Sequence, residues 1–139
     1  MSDLIRLSIS LDKSLSARLD RLVRGSQYTN RSEFIRDLVR QRLVEQQWAD
    51  QHEEVVGTIT LLYDHHTRQL NDKLTETQHQ HHANVMAATH VHLSHDLCAE
   101  MIMVRGRTHE IRRLADDLGR HRGVLHTDLT MGSTGKHLR

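Results

Sequence analysis

The sequence predicts an α+β chain in two parts, a strand-helix-helix start and a longer βαββαβ domain. Three observations carry this. Residues 4–11 alternate apolar and polar with period two. Two stretches with apolar residues at helical spacing follow, each opened by a capping residue. Beyond residue 52, β-branched runs and helical patterns alternate in the order strand, helix, strand, strand, helix, strand.

In Leu4-Ile5-Arg6-Leu7-Ser8-Ile9-Ser10-Leu11, the residues Ile5, Leu7, Ile9 and Leu11 share one face of a strand, and Arg6, Ser8 and Ser10 share the other. Asp12 reads as the N-cap of a first helix with Leu15, Leu19, Leu22 and Val23 inward and Gly25 as its stop. Asn30 reads as the cap of a second helix, with Glu33 three residues on as in a capping box and a stripe of Phe34, Ile35, Leu38, Val39 and Leu43. One strand alone leaves its backbone groups unpaired, and so short a module buries little core. A second copy of the chain supplies both needs, so pairing through a two-stranded antiparallel ribbon is expected.

Trp48 to Gln51 reads as a short polar connector. The second domain then reads as a strand over 53–63, a helix over 66–80 with Leu70, Leu74 and Thr77 inward, and a strand over 83–93. A turn at Ser94-His95-Asp96 leads to a strand over 97–104 closed by Gly106. A helix over 108–120 with Ile111, Leu114, Ala115 and Leu118 inward precedes a last strand over 123–131. This is the ferredoxin-like (ACT-like) order. The first strand is apolar on both faces, with Val55, Ile59 and Leu61 on one and Val56 and Leu62 on the other. The face without helices is therefore expected to meet another subunit. The expected domains are 1–47, 52–131 and a disordered tail at 132–139.

Bulk properties bound the function. Net charge is +1, divided as +3 over residues 1–47 and −2 over the remainder, which fits a mildly basic binding module joined to a neutral one. A single cysteine excludes an intrachain disulfide. No apolar run approaches a membrane span, and the start Met1-Ser2-Asp3-Leu4 lacks a signal-peptide pattern. The expected location is cytoplasmic.

The richest chemistry lies between His79 and Cys98, where six of the 13 histidines and the only cysteine occupy 20 residues. Imidazole and thiolate are the ligands of borderline to soft transition metals. On a strand His90 and His92 share a face, with Val91 and Leu93 on the other as core residues would be, and Cys98 returns beside them across the turn. That gives two nitrogens and a sulfur from one hairpin. His79 to His82, at a helix end, are candidates for a fourth ligand, and a partner subunit is a natural source of it.

The first fifty residues resemble a ribbon-helix-helix DNA-binding domain. The resemblance implies that Arg6, Ser8 and Ser10 read base edges in the major groove and that the helix opening at Asn30-Arg31-Ser32 faces a DNA phosphate. A solvated strand face is the plain alternative. Over nearly its full length the chain resembles the nickel-responsive regulator (NikR) family, through this start, the second domain, and the run Thr77-Gln78-His79-Gln80-His81-His82 followed by His90-Val91-His92-Leu93-Ser94-His95-Asp96-Leu97-Cys98.

This resemblance implies Ni(II) in a square plane, bound by His90, His92 and Cys98 of one subunit and His79 of another. It also implies a homotetramer built as a dimer of dimers, and metal-promoted binding to double-stranded operator DNA that represses nickel uptake genes. Tyr63 and Glu100 resemble positions that orient the ligands, and Glu33 with Asp37 could hold a cation between the domains. Gln80 interrupts a histidine run that is often longer in the family.

His65 and His66 are candidates for a secondary site with His79 or His81, while His81, His82 and His95 have no assigned role. His109, His121, His126 and His137 read as isolated surface residues. Rival readings are a zinc or copper regulator on the same scaffold, a metallo-enzyme, and an amino-acid-sensing domain. An enzyme needs an open metal position and a nearby base, so no catalytic residue is expected. The sensing domain lacks a Gly-rich binding loop here.

Overall fold

The computed structural model describes residues 3–139. Met1 and Ser2, part of the start read as lacking a signal peptide, lie outside the described residues. The chain divides into two units, Met1–Arg40 and Gln41–Arg139.

In the first unit, α1 (Lys13–Arg24) begins where Asp12 accepts the Leu15 N–H at 2.8 Å. It ends at Gly25, whose N–H bonds the Arg21 carbonyl with an ordinary right-handed φ of −80°. Helix α2 (Arg31–Ala49) starts where Asn30 Oδ1 accepts the Glu33 N–H at 3.0 Å. Arg31 bonds Asp20 and so ties the two helices together, and Tyr28 meets Phe34 edge-on with centroids 5.6 Å apart.

The expected strand at 4–11 has no ladder: residues 3–12 carry no strand assignment. Leu4, Ile5, Leu7 and Ile9 are each more than 60% exposed. The physical reason is the one the sequence supplies, since a strand is defined by its pairing and no strand among the described residues pairs with it. Leu19, Val23, Phe34 and Ile35 are only half-buried, so the unit closes no core of its own.

The second unit is a four-stranded antiparallel sheet with strand order β2-β3-β1-β4. Its elements are β1 (Glu54–Asp64), α3 (Leu70–Gln80), β2 (Val85–His92), β3 (Leu97–Arg107), α4 (Thr108–Gly119) and β4 (Val124–Met131). Burial alternates along all of β1, with Val55, Ile59, Leu61 and Tyr63 buried. These residues meet Leu70 and Leu74 of α3 and Ile111, Leu114 and Leu118 of α4 in one cluster, so the inward stripes expected of both helices hold. His121, read as an isolated surface residue, instead lies 2.8 Å from the buried Thr77 hydroxyl.

Four expectations change. Trp48 is the end of a helix and not a connector: it is 2% exposed, its Nε1–H donates to the Gly132 carbonyl at 2.8 Å, and Arg112 lies over its ring. Gly57 makes room for it, because a Cβ there would come within 3.0 Å of the indole. Helix α3 starts at 70 and not 66, because Asp64 Oδ1 takes the His66 N–H in a local turn and Gln69 adopts a left-handed φ of 61°. The tail expected to lack order is bonded to its neighbours, with Gly132 N–H on Val56 and Gln47 Nε2 on Lys136.

The fourth change concerns the faces of the hairpin. His92 pairs with Cys98 and His90 with Glu100 across β2 and β3, while Cys98 pairs with Tyr63 and Ile102 with Ile59 across β3 and β1. Cross-strand partners share a face, so the histidines stand on the core side, with Ile59 and Leu61. Val91, at 41% exposure, and Met101 and Met103 belong to the side without helices. Leu93, past the end of β2, is 60% exposed, so neither Val91 nor Leu93 is core.

Candidate metal centre

The ligand hairpin is a product of strand register. Residues 94–96 turn the chain, with Ser94 Oγ accepting the Asp96 and Leu97 N–H groups, and the β2–β3 ladder then sets His92 opposite Cys98. Cys98 Sγ lies 3.2 Å from His92 Nδ1, and the His90 and His92 rings are 5.0 Å apart. Cys98 is fully buried and both histidines are exposed, so the group is a core sulfur with two imidazoles on its open side.

The neighbours define the electrostatics. Burial pushes the Cys98 thiol up, so a bound metal has to displace its proton. Cys98 Sγ and His92 Nδ1 stand at hydrogen-bonding distance of one another. Metal–sulfur and metal–nitrogen bonds of about 2.3 and 2.1 Å leave adjacent ligand atoms roughly 3.1–3.6 Å apart. The Cys98–His92 spacing therefore fits two ligands of one transition-metal ion, whereas His90 joins no compact ligand group with them among the described residues.

Tyr63 is buried beside them, and its hydroxyl lies 3.1 Å from His90 Nδ1. Burial first, then the charges of Glu100 and Cys98, pushes its phenol up to about 12. It therefore stays protonated at neutral pH and leaves His90 Nε2 as the ring's other donor atom. Glu100, the other residue expected to orient ligands, accepts from Gln78 Nε2 at 2.9 Å. Gln78 immediately precedes His79, so this bond fixes the last turn of α3 against β3.

His79 is exposed on that last turn and joins no three-residue ligand group among the described residues. His65 does: with His92 and Cys98 it forms one compact group, and its ring lies 5.3 Å from that of His92. Residue spacing carries no signal for this pairing, because β1 meets β3 only through the fold. His81 bonds Asp117 at 3.2 Å and His82 the His79 carbonyl, so both have structural partners. Arg6, Ser8 and Ser10 are exposed on the segment 3–12. Asp37 takes the Tyr28 hydroxyl and Arg40, which together hold its carboxyl below the usual range.

Two helices ahead of a ferredoxin-like sheet with an imidazole–thiolate cluster define a class: a small helical module joined to a metal-competent domain. The family described as NikR C terminal nickel binding domain matches residues 56–132, and that described as Ribbon-helix-helix protein, copG family, matches residues 5–46.

Chains from Geobacter metallireducens and Geobacter sulfurreducens are 47% and 49% identical to this one over 99% of each chain. One from Solibacter usitatus is 46% identical over 100% of each. All three bear the name "Putative nickel-responsive regulator". A solved structure of an uncharacterized protein from Thermotoga maritima aligns with 57% of this chain and 98% of its own, at TM-score 0.52 and 12% identity, and shows a shared fold for that part alone. The chain belongs to the NikR family, whose members are ribbon-helix-helix transcriptional regulators and not enzymes. Among the described residues no helix is long and apolar enough to cross a membrane.

Proposed function

We propose that this protein is a cytoplasmic, nickel-dependent DNA-binding repressor of nickel uptake genes. The observation that carries the reading is the Cys98–His92 pair at 3.2 Å, with His90 beside it, inside the domain matched by the family's nickel-binding description. His90, His92 and Cys98 of one subunit, with His79 of another, would hold Ni(II). A ligand shared between subunits would make metal binding an ordering event. The exposed place of His79 on α3 supports its supply to a different copy.

Residues 1–47 would form the DNA-binding domain, paired through residues 4–11 with a second copy, with Arg6, Ser8 and Ser10 toward the bases. The row of exposed apolar residues there supports that pairing. Residues 52–131 would bind metal and join two such dimers into a homotetramer.

The test is operator affinity with and without Ni(II), for the wild type and for Cys98→Ala. The expected result is tight binding only for the wild type with Ni(II). Equal affinity of the wild type in both conditions would sink the regulatory reading. If Zn(II) or Cu(II) supports binding and Ni(II) does not, the metal assignment is overturned.

A further inference from the structure

A second group of ligand atoms lies at the tip of the β2–β3 hairpin and shares no residue with the first: His66, His95 and Asp96. His66 Nε2 is 3.1 Å from Asp96 Oδ1 and 3.4 Å from His95 Nδ1, and His95 Nδ1 is 2.9 Å from Asp96 Oδ1. With metal–ligand bonds of about 2.0–2.1 Å, adjacent ligands of an octahedral ion sit roughly 2.8–3.0 Å apart, and those of a tetrahedral one roughly 3.3–3.4 Å. All three separations fall within or between those ranges. An ion can therefore touch the three atoms with shifts of a few tenths of an ångström.

The chemistry agrees with the spacing. Two imidazoles and one carboxylate on one side of an ion are the facial triad of first-row divalent metals, which leaves the remaining positions to water. The three side chains are well exposed, at 50%, 86% and 68%, so water reaches those positions.

The backbone beneath them is pinned from both loops. His65 N–H donates to the Asp96 carbonyl at 2.9 Å, and His66 N–H to Asp64 Oδ1 at 2.9 Å. Ser94 Oγ accepts the Asp96 and Leu97 N–H groups. These bonds bring a turn after β1 and the hairpin tip to one place although the two lie some thirty residues apart in sequence. A solvated ion pair explains a histidine beside a carboxylate. It does not require a second imidazole nitrogen on the same carboxylate oxygen.

We propose that His66, His95 and Asp96 form a second metal site for a first-row divalent transition-metal ion, with water completing its coordination. It lacks a thiolate and a fourth protein ligand, so it binds more weakly than a site containing Cys98.

Ni(II) is the probe, with the full chain dialysed to equilibrium near neutral pH, the metal counted per chain, and the thiolate-to-nickel absorption followed in parallel. The wild type is expected to take a second equivalent that adds nothing to that absorption. The double variant His66→Ala with His95→Ala is expected to lose that equivalent and keep the absorption. Asp96→Asn is expected to weaken it about tenfold or more. Cys98→Ala should lose the absorption and keep the hairpin-tip ion, which separates failure here from failure of the proposed function. A wild type that saturates at one ion, or a double variant that still takes two, overturns the proposal. So does loss of the second ion in a His81→Ala, His82→Ala control.

Discussion

Replacing Tyr63 by Phe removes one oxygen beside the candidate centre and keeps the buried ring. In the wild type that oxygen lies 3.1 Å from His90 Nδ1, and the phenol, pushed up to about 12, is protonated at neutral pH. Without metal the bond is an ordinary hydrogen bond and contributes about 1 kcal/mol. His90 is exposed, so water replaces part of that when the hydroxyl is removed. With Nε2 on a metal, Nδ1–H becomes a stronger donor to the Tyr63 oxygen, and the bond moves toward the charge-assisted range of about 1.5–3 kcal/mol. The difference, about 1–1.5 kcal/mol, is what the variant loses from metal binding, or roughly tenfold in Kd. Chelator-competition titration with Ni(II) measures this, and thermal unfolding of the metal-free protein measures the fold separately. Tyr63→Phe is expected to bind about tenfold more weakly while its metal-free stability falls by about 1 kcal/mol or less. An affinity within about twofold of wild type would refute the claim that Tyr63 orients His90 as a ligand.

Two further outcomes follow from contacts already described. Trp48→Ala removes a buried indole together with its bond to Gly132, so a loss of about 3–5 kcal/mol is expected. Calorimetry should show a melting temperature lower by roughly 10–20 °C; a shift of only a degree or two would return Trp48 to the role of a connector. Glu110 accepts from Asn84 Nδ2 at 3.0 Å and from the Arg107 N–H, and these bonds, the Asn84 one first, hold its carboxyl below the usual range. Its folded pKa is depressed, so its contribution is complete above the unfolded pKa and is lost as pH falls through the folded one. From about pH 5 downward the wild type should therefore lose stability faster than Glu110→Gln, and parallel melting curves across that range would remove the assignment.

The parts of the fold legible in the sequence were those set by local periodicity. The inward stripes of α3 and α4 and the alternation of β1 follow from residue spacing alone, and the structure buries the residues they name. Asp12 and Asn30 were legible as caps because a cap needs only a short polar side chain at a fixed offset. What the spacing left open was which face of β2 meets the helices. Period two puts His90 and His92 together but is silent on side, and the β1–β3 register places them with Ile59 and Leu61. Spacing alone does not show Trp48 as helical and buried, because its place depends on Gly57, which leaves room for the ring, and on the Gly132 carbonyl 84 residues further on, which accepts its N–H. His65 could not be paired with His92 and Cys98 from sequence because their proximity is tertiary.

That register would also couple metal binding to the fold. Cys98 stands in the same row as Glu100, Ile102 and Val104, so its sulfur is held by the wall of the core and not by a loop. Removing the Cys98 proton without supplying a cation would leave a thiolate in that wall, which burial disfavours. A metal ion bound there would supply the positive charge at the point where the proton is lost, so it would favour the folded hairpin over the unfolded chain and stabilise the fold as its concentration rises above Kd. If the fourth ligand is His79 of another subunit, the same binding free energy also selects one arrangement of subunits. Linkage then requires reciprocity: whatever factor Ni(II) adds to operator affinity, operator DNA must add to Ni(II) affinity. A regulator built this way would sense metal against the cost of deprotonating Cys98, a cost set by the β1–β3–β2 register that buries the cysteine.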